Sequence, residues 1–142
     1  MSFTGEFRHA IDGKGRLIVP ARLRDAVGDR VVLTRWMDEC IALWSEPGWG
    51  EVDASLRALG RSNRQARALV RTISASAHAD AVDRQGRVSV PQHLRDFAAI
   101  TRDAVVIGAL DHGEIWSPER WEREQGQVDE GRLDELAQGL SF

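Results

Sequence analysis

The sequence predicts an α+β fold built from two similar halves, and three observations predict it. Laid over one another at an offset of 71, Asp12 to Asp25 (DGKGRLIVPARLRD) and Asp83 to Asp96 (DRQGRVSVPQHLRD) share eight of fourteen residues, where average usage gives roughly one. Short β-rich runs bounded by Gly and Asp recur in both halves, and apolar residues at helical spacing lie between and after them. Repeat arrays generally hold three or more units. A repeat that occurs only twice is expected to pack as one pseudo-symmetric body. The strings Trp44-Ser45-Glu46-Pro47-Gly48-Trp49 and Trp116-Ser117-Pro118-Glu119-Arg120-Trp121 carry the correspondence beyond the motif.

Taken in order, Phe7 to Ile11 predicts a strand, Asp12-Gly13-Lys14-Gly15 a tight turn tolerating positive φ, and Arg16 to Val19 a returning strand, together a hairpin. Pro20 suits the first turn of a helix, which Gly28 can close in the left-handed conformation. Val31 to Thr34 and Ile41 to Trp44, separated by Asp38-Glu39, predict a second hairpin. The second half repeats this with Ala79 to Val82, Arg87 to Val90, a helix from Pro91, Ala104 to Ala109, and a turn at Asp111-His112-Gly113. Between the halves, Trp49, Val52, Leu56 and Leu59 recur at helical spacing, as do Ala66, Leu69, Val70 and Ile73 behind a Ser62 cap. Leu133, Leu136 and Leu140 predict one face of a last, acidic helix.

Composition narrows the function classes. The 142 residues are 42% hydrophobic and 29% charged, with a net charge of -3, which fits a globular chain with a core of its own. No uncharged apolar run approaches the ~20 residues of a membrane span, and Glu6, Arg8, Asp12, Lys14 and Arg16 break every candidate signal segment. A cytosolic protein is expected. The single Cys40 excludes an intrachain disulfide and predicts a small core residue. His9, His78, His93 and His112 stand singly, without metal-ligand spacing, and Gly13-Lys14-Gly15-Arg16 lacks the Walker pattern. No catalytic constellation, metal, cofactor or small-molecule substrate is expected.

Charge is uneven along the chain. Glu119 to Phe142 holds seven acids against three arginines, whereas Met1 to Arg24 holds five cations against Glu6 and Asp12. In Asp12-x-x-Gly15-Arg16 a carboxylate can hold the turn by bonding the following backbone, leaving Lys14 at the tip and Gly13 and Gly15 without side chains to obstruct a partner. Flanked by Arg8 and Arg22, this loop suits phosphates and guanine edges. The alternative is a purely structural Asp12–Arg16 ion pair. In the second copy Gly13 becomes Arg84, Lys14 becomes Gln85 and Arg22 becomes His93, so the first copy is expected to read DNA and the second to support it. A further basic run, Arg57, Arg61, Arg64, Arg67 and Arg71, has no acid within it. It predicts a solvated face, pairing with the acidic tail of the same or a neighbouring subunit, or DNA contact, in that order. The five tryptophans predict core or inter-subunit packing rather than base stacking.

FTGEFRHAIDGKGRLIVPARLR at Phe3 to Arg24, DRQGR-x-x-VP at Asp83 to Pro91 and the intervening Ser62-Asn63-Arg64 helix resemble the MraZ family of bacterial transcription regulators. The resemblance spans nearly the whole chain and matches Asp12 with Arg16 and Asp83 with Arg87. It implies a duplicated AbrB-like (SpoVT-AbrB) swapped-hairpin or double-split β-barrel with added helices. The implied domains are 1–60 and 77–124, with a helical connection at 61–76 and an acidic tail at 125–142. It further implies subunits in a ring and binding to direct repeats in double-stranded DNA ahead of division and cell-wall genes, as a repressor on the nucleoid. Arg8, Lys14, Arg16, Arg22 and Arg87 are then the expected DNA contacts, and Asp12, Gly13, Gly15, Asp83 and Gly86 shape the loops. The rival reading is a protein-interaction module of the antitoxin-like AbrB type, its basic loop taking an acidic protein.

Overall fold

The computed structural model describes residues 2–128 and 132–141. Of the predicted acidic tail, Asp129 and Glu130 lie outside the described residues, as does Phe142. The fold is a mixed α+β one with two similar sheet-and-helix units. Its described strands are β1 (Glu6–Ala10), β2 (Arg16–Ile18), β3 (Arg30–Arg35), β4 (Ile41–Ser45), β5 (His78–Ala81), β6 (Arg87–Ser89), β7 (Asp103–Gly108) and β8 (Gly113–Trp116). Six of them form an antiparallel sheet in the order β1-β7-β8-β4-β3-β5, and β2 pairs with β6 in a second sheet.

This order exchanges strands between the halves. β1 of the first half lies on β7 of the second, with Phe7 opposite Val106. Reciprocally, β5 of the second half lies on β3 of the first, with Val32 opposite Ala79. The β3–β4 and β7–β8 hairpins form as the sequence predicts, and they meet where Ile41 of β4 faces Ile115 of β8. The hairpin predicted over Phe7 to Val19 does not form a ladder. Asp12 N–H donates to Arg16 C=O at 2.9 Å, after which the arms diverge, β1 to β7 and β2 to β6, where Leu17 faces Val88. A turn signal fixes a reversal but not which strands pair after it, and here the two arms serve different sheets.

The main core lies between the sheets. Leu17 and Val19 from one half and Val88 and Val90 from the other pack with Val31, Leu33, Ile41, Leu43, Val106 and Ile115. The four central positions of β3 and of β7 are buried, so both faces of these strands are covered; β7 is apolar throughout this run, and β3 is apolar except for Thr34. Each fully buried Leu or Ile contributes about 1.5–3 kcal/mol from apolar area alone. The opposite face carries Val32, Ala42 and Trp44 beside Trp49 and Val52, and Cys40, Val105, Ile107 and Trp116 beside Trp121.

Helices cover the outside unequally. A 3-10 turn at Ala21–Leu23 leads into α1 (Arg24–Val27), and its repeat counterpart is α4 (Gln92–Ala98). Gly28 closes α1 with φ +80° but ψ -160°, while Ala99, at the matching position, takes the left-handed helical conformation. The repeated Trp-Ser strings are helix starts: Ser45 Oγ accepts from Gly48 N–H, opening α2 (Glu46–Ala58), and Ser117 Oγ accepts from Arg120 N–H, opening α5 (Pro118–Gly126). α3 (Arg64–Ser76) is capped by Asn63, whose Oδ1 accepts from Gln65 and Ala66 N–H, and not by Ser62. α6 (Arg132–Ala137) carries Leu133 and Leu136. Gly139 turns with φ +78° before Leu140, so the third leucine lies beyond the helix.

The tryptophans pack as predicted. Trp44 and Trp116 are 3% and 4% exposed, and their indole N–H groups donate to Thr34 Oγ1 and Glu114 Oε1. The His112 ring stacks on Trp44 at 4.6 Å and bonds Asp111 at 2.5 Å and Glu114 at 2.9 Å. Burial opposes its charge, but the bonds to Glu114 and Asp111 and their negative charges prevail and raise the pKa above 6.5. Burial, aided by Glu114 and Asp38, pushes the Cys40 thiol far up, which makes it an inert core group.

Candidate nucleic-acid interface

The two Asp-x3-Arg turns have the same construction. In the first, Asp12 Oδ1 accepts from Lys14 N–H and Arg16 N–H, both at 2.9 Å, and Oδ2 accepts from Arg16 Nε at 2.8 Å. In the second, Asp83 Oδ1 accepts from Gln85 N–H and Arg87 N–H at 2.9 Å, and Oδ2 from Arg87 Nε at 2.8 Å. Gly15 and Gly86 take φ +78° and +77°, a conformation a side chain would strain. The Arg16 backbone N–H does most to hold the Asp12 carboxyl below its usual range, followed, against some desolvation, by the Arg16 side chain and Lys14 N–H; Asp83 is lowered likewise by Arg87 and Gln85. The structural ion pair and a presented cation are therefore compatible. Asp12 engages Arg16 at backbone and Nε, which fixes the direction of the guanidinium.

The β2–β6 pairing brings the turns together. Val19 N–H donates to Gly86 C=O at 2.7 Å, and Val90 N–H to Gly15 C=O at 2.8 Å. Arg87 Nη1 comes within 3.9 Å of Asp12 Oδ2, so the carboxylate of one turn faces the arginine of the other. Two further arginines, which the sequence alone shows only as charge, complete the arrangement. Arg24 Nε donates to Val19 C=O at 3.2 Å, and its guanidinium covers Gly86, where a Cβ would meet it at 2.6 Å. Arg95 Nε donates to Val90 C=O at 2.9 Å and covers Gly15, where a Cβ would meet it at 3.0 Å. Each half thus clamps the glycine of the other. The signal was in the repeat, because Arg24 and Arg95 correspond at the offset of 71. Gly15 is occupied by Arg95, and Gly13 is the glycine left open, with nothing within 4 Å of a built Cβ.

The predicted cations divide. Arg16 and Arg87 sit together, with side chains 29% and 23% exposed. Arg87 is the more heavily engaged, since it also bonds Gln85 Oε1. Lys14 is exposed at the tip, with no side-chain partner among the described residues. Arg22 lies over the Phe7 ring at 5.7 Å, and Arg8 lies 3.9 Å from Glu122 on α5. These two are exposed but are held by other partners than the turns. Among the described residues no group of His, Cys, Asp and Glu could hold a metal ion, and no helix is long and apolar enough to cross a membrane.

Strand exchange around a doubled core, with two carboxylate-held arginine turns locked side by side, defines a tandem AbrB/SpoVT-like protein. The family model for MraZ protein, described as antitoxin-like, matches the chain twice, over residues 2–72 and 73–139. Similar curated proteins are named "Transcriptional regulator MraZ". The one from Desulforamulus reducens is 44% identical over 117 residues, 82% of each chain. Those from Natranaerobius thermophilus and Heliobacterium modesticaldum are 43% and 45% identical over 118 residues, 83% of this chain and 82% of theirs. The chain belongs to the MraZ family.

Proposed function

We propose that this chain is a DNA-binding transcriptional regulator, not an enzyme, which represses division and cell-wall genes by gripping tandem direct repeats with the turns of a ring-shaped homo-oligomer. The carrying observation is the paired turns: a guanidinium aimed by Asp12, an unpaired Lys14, and open space at Gly13. Such a head can meet phosphates with Lys14 and a guanine edge with Arg16. Arg87 is a lesser contact, and Arg8 and Arg22 add backbone charge. The common core of the two sheets supports the double-split barrel form of the fold. The work of such a protein places it on the nucleoid in the cytoplasm. The net charge of -3 does not oppose this reading, because phosphate binding depends on the local patch.

One turn is small beside the ~1,000 Å² of protein surface in a specific DNA interface, so affinity must come from number. Turns recurring around a ring face meet boxes repeated in one direction at about one helical turn, and binding the first raises the local concentration for the second. The test is titration of two-box DNA with spacing varied by half turns, with assembly mass followed by light scattering. In-phase boxes are expected to bind more tightly; equal affinity out of phase overturns the mechanism. The antitoxin-like description of the family model attaches to the rival, a module binding an acidic protein. An affinity for DNA that stays flat from low to moderate salt would favour it.

A further inference from the structure

α3 is a thirteen-residue helix whose only buried residues, Ile73 and Ser76, lie at its C-terminal end. Its first turns leave an apolar flank uncovered. A trough of about 520 Å³ runs there between the α2–α3 connection and α3, lined by Leu59, Ala66, Ala68, Leu69 and Thr72. Through Leu69 it continues into a second hollow of about 300 Å³ floored by Trp36, Leu56 and Ile73, with Glu51 and Asp111 at its polar rim. Leu69 is 37% exposed and Met37, on the rim, 51%.

The trough is bordered by cations that lack acids. Ala68 has Arg64 four residues before it and Arg71 three after, so both guanidinium side chains adjoin it on the helix surface. Arg61, Arg64 and Arg71 are exposed, and no described acid pairs with them. Arg57 is satisfied by Asp53, and Arg67 bonds the Arg61 carbonyl at 2.6 Å.

The complementary surface stands on the same chain. Leu133, Leu136 and Leu140 are 72%, 55% and 68% exposed, and Asp134 and Glu135 between them have no ion-pair partner among the described residues. An isolated helix shorter than about 12–15 residues is marginal in water. α6 has six residues and covers none of its leucines, so a partner that buries them is what would make it persist.

We infer that the Arg132–Ser141 segment of one copy docks in the α2–α3 trough of a second copy, Leu133 and Leu136 entering beside Leu59 and Leu69, and Asp134 and Glu135 facing Arg64 and Arg71. Key and groove are different surfaces, so the contact is head-to-tail and propagates until it closes. It supplies a subunit junction for the ring proposed above and rests on that reading.

The test uses full-length chains. A variant with Leu133→Asp and Leu136→Asp keeps the groove and loses the key; Leu69→Asp keeps the key and loses the groove. Wild type is expected to assemble, and each variant alone to sediment as one subunit with its near-ultraviolet tryptophan signal unchanged. An equal mixture of the two retains one working junction and is expected to stop at two subunits. Arg64→Glu with Arg71→Glu should weaken assembly about tenfold or more, and adding Asp134→Arg with Glu135→Arg should restore it. Variants that assemble like wild type, or a mixture that remains single subunits, overturn the junction and leave the ring reading standing. A wild type that stays a single subunit at every concentration overturns both.

Discussion

The two Asp-x3-Arg turns share their internal geometry to within 0.1 Å in each corresponding carboxylate bond, yet their outer surfaces differ. Around the first, Gly13 is open and Lys14 is unpaired. Around the second, Arg84 replaces the open glycine, Gln85 bonds Arg87, and Arg87 faces two carboxylates, Asp83 and Asp12. The duplicated part of the sequence maintains a shape, and the divergent part decides how much charge that shape presents. A guanidinium already satisfied by its own protein gives up those bonds to reach a base, so equal folds do not imply equal heads.

The largest effects should fall on the shared shape. Leu23 and Leu94 are repeat counterparts, 1% and 0% exposed; truncating either to Ala is expected to cost about 2–5 kcal/mol of stability. Urea denaturation of the two variants should give similar losses. A loss confined to one would mean that the halves do not bear equally on the core. Next in size, Arg16→Ala is expected to cost DNA affinity by about 1–3 kcal/mol if Arg16 contacts a base edge, with a smaller loss for Arg87→Ala. Equal losses with unchanged circular dichroism would show that both turns read DNA alike.

Exchanging the tip residues refines the same contrast. Lys14→Gln should lower the slope of log affinity against log salt by about one per bound turn, and Gln85→Lys should raise it. If only Lys14→Gln changes the slope, the second turn does not reach the phosphates. The smallest effect concerns His112. Its folded pKa is raised above 6.5, so the stabilisation from its charged ring is complete below that value and is lost as pH rises through the folded pKa. The melting temperature should therefore decline as pH rises above 6.5 in wild type and decline less in His112→Gln. Parallel profiles for the two proteins would remove His112 as the cause.

The sequence by itself determined the duplication, the two turns, the Asp–Arg partners and most of the helices, because these depend on residues within a few positions of one another. Asp12 reaches Arg16 across a turn whose glycine takes positive φ; the caps are equally local but less legible, since Ser45 and Ser117 cap helices behind strings that the repeat shows only as a correspondence, and Asn63 rather than Ser62 caps α3. It also set the Trp44 and Trp116 core positions, which lie in β-rich runs repeated in both halves. Tertiary structure alone decided the partners of β1 and β2, since a tight turn is compatible with a local hairpin and with strand exchange. What separates them is the apolar area buried when β1 joins β7 and β2 joins β6, a sum over residues some seventy to a hundred positions apart. The same distance hid the placing of Arg24 over Gly86 and Arg95 over Gly15. The repeat shows that these arginines recur, but only the packing of one half against the other gives them a glycine to cover.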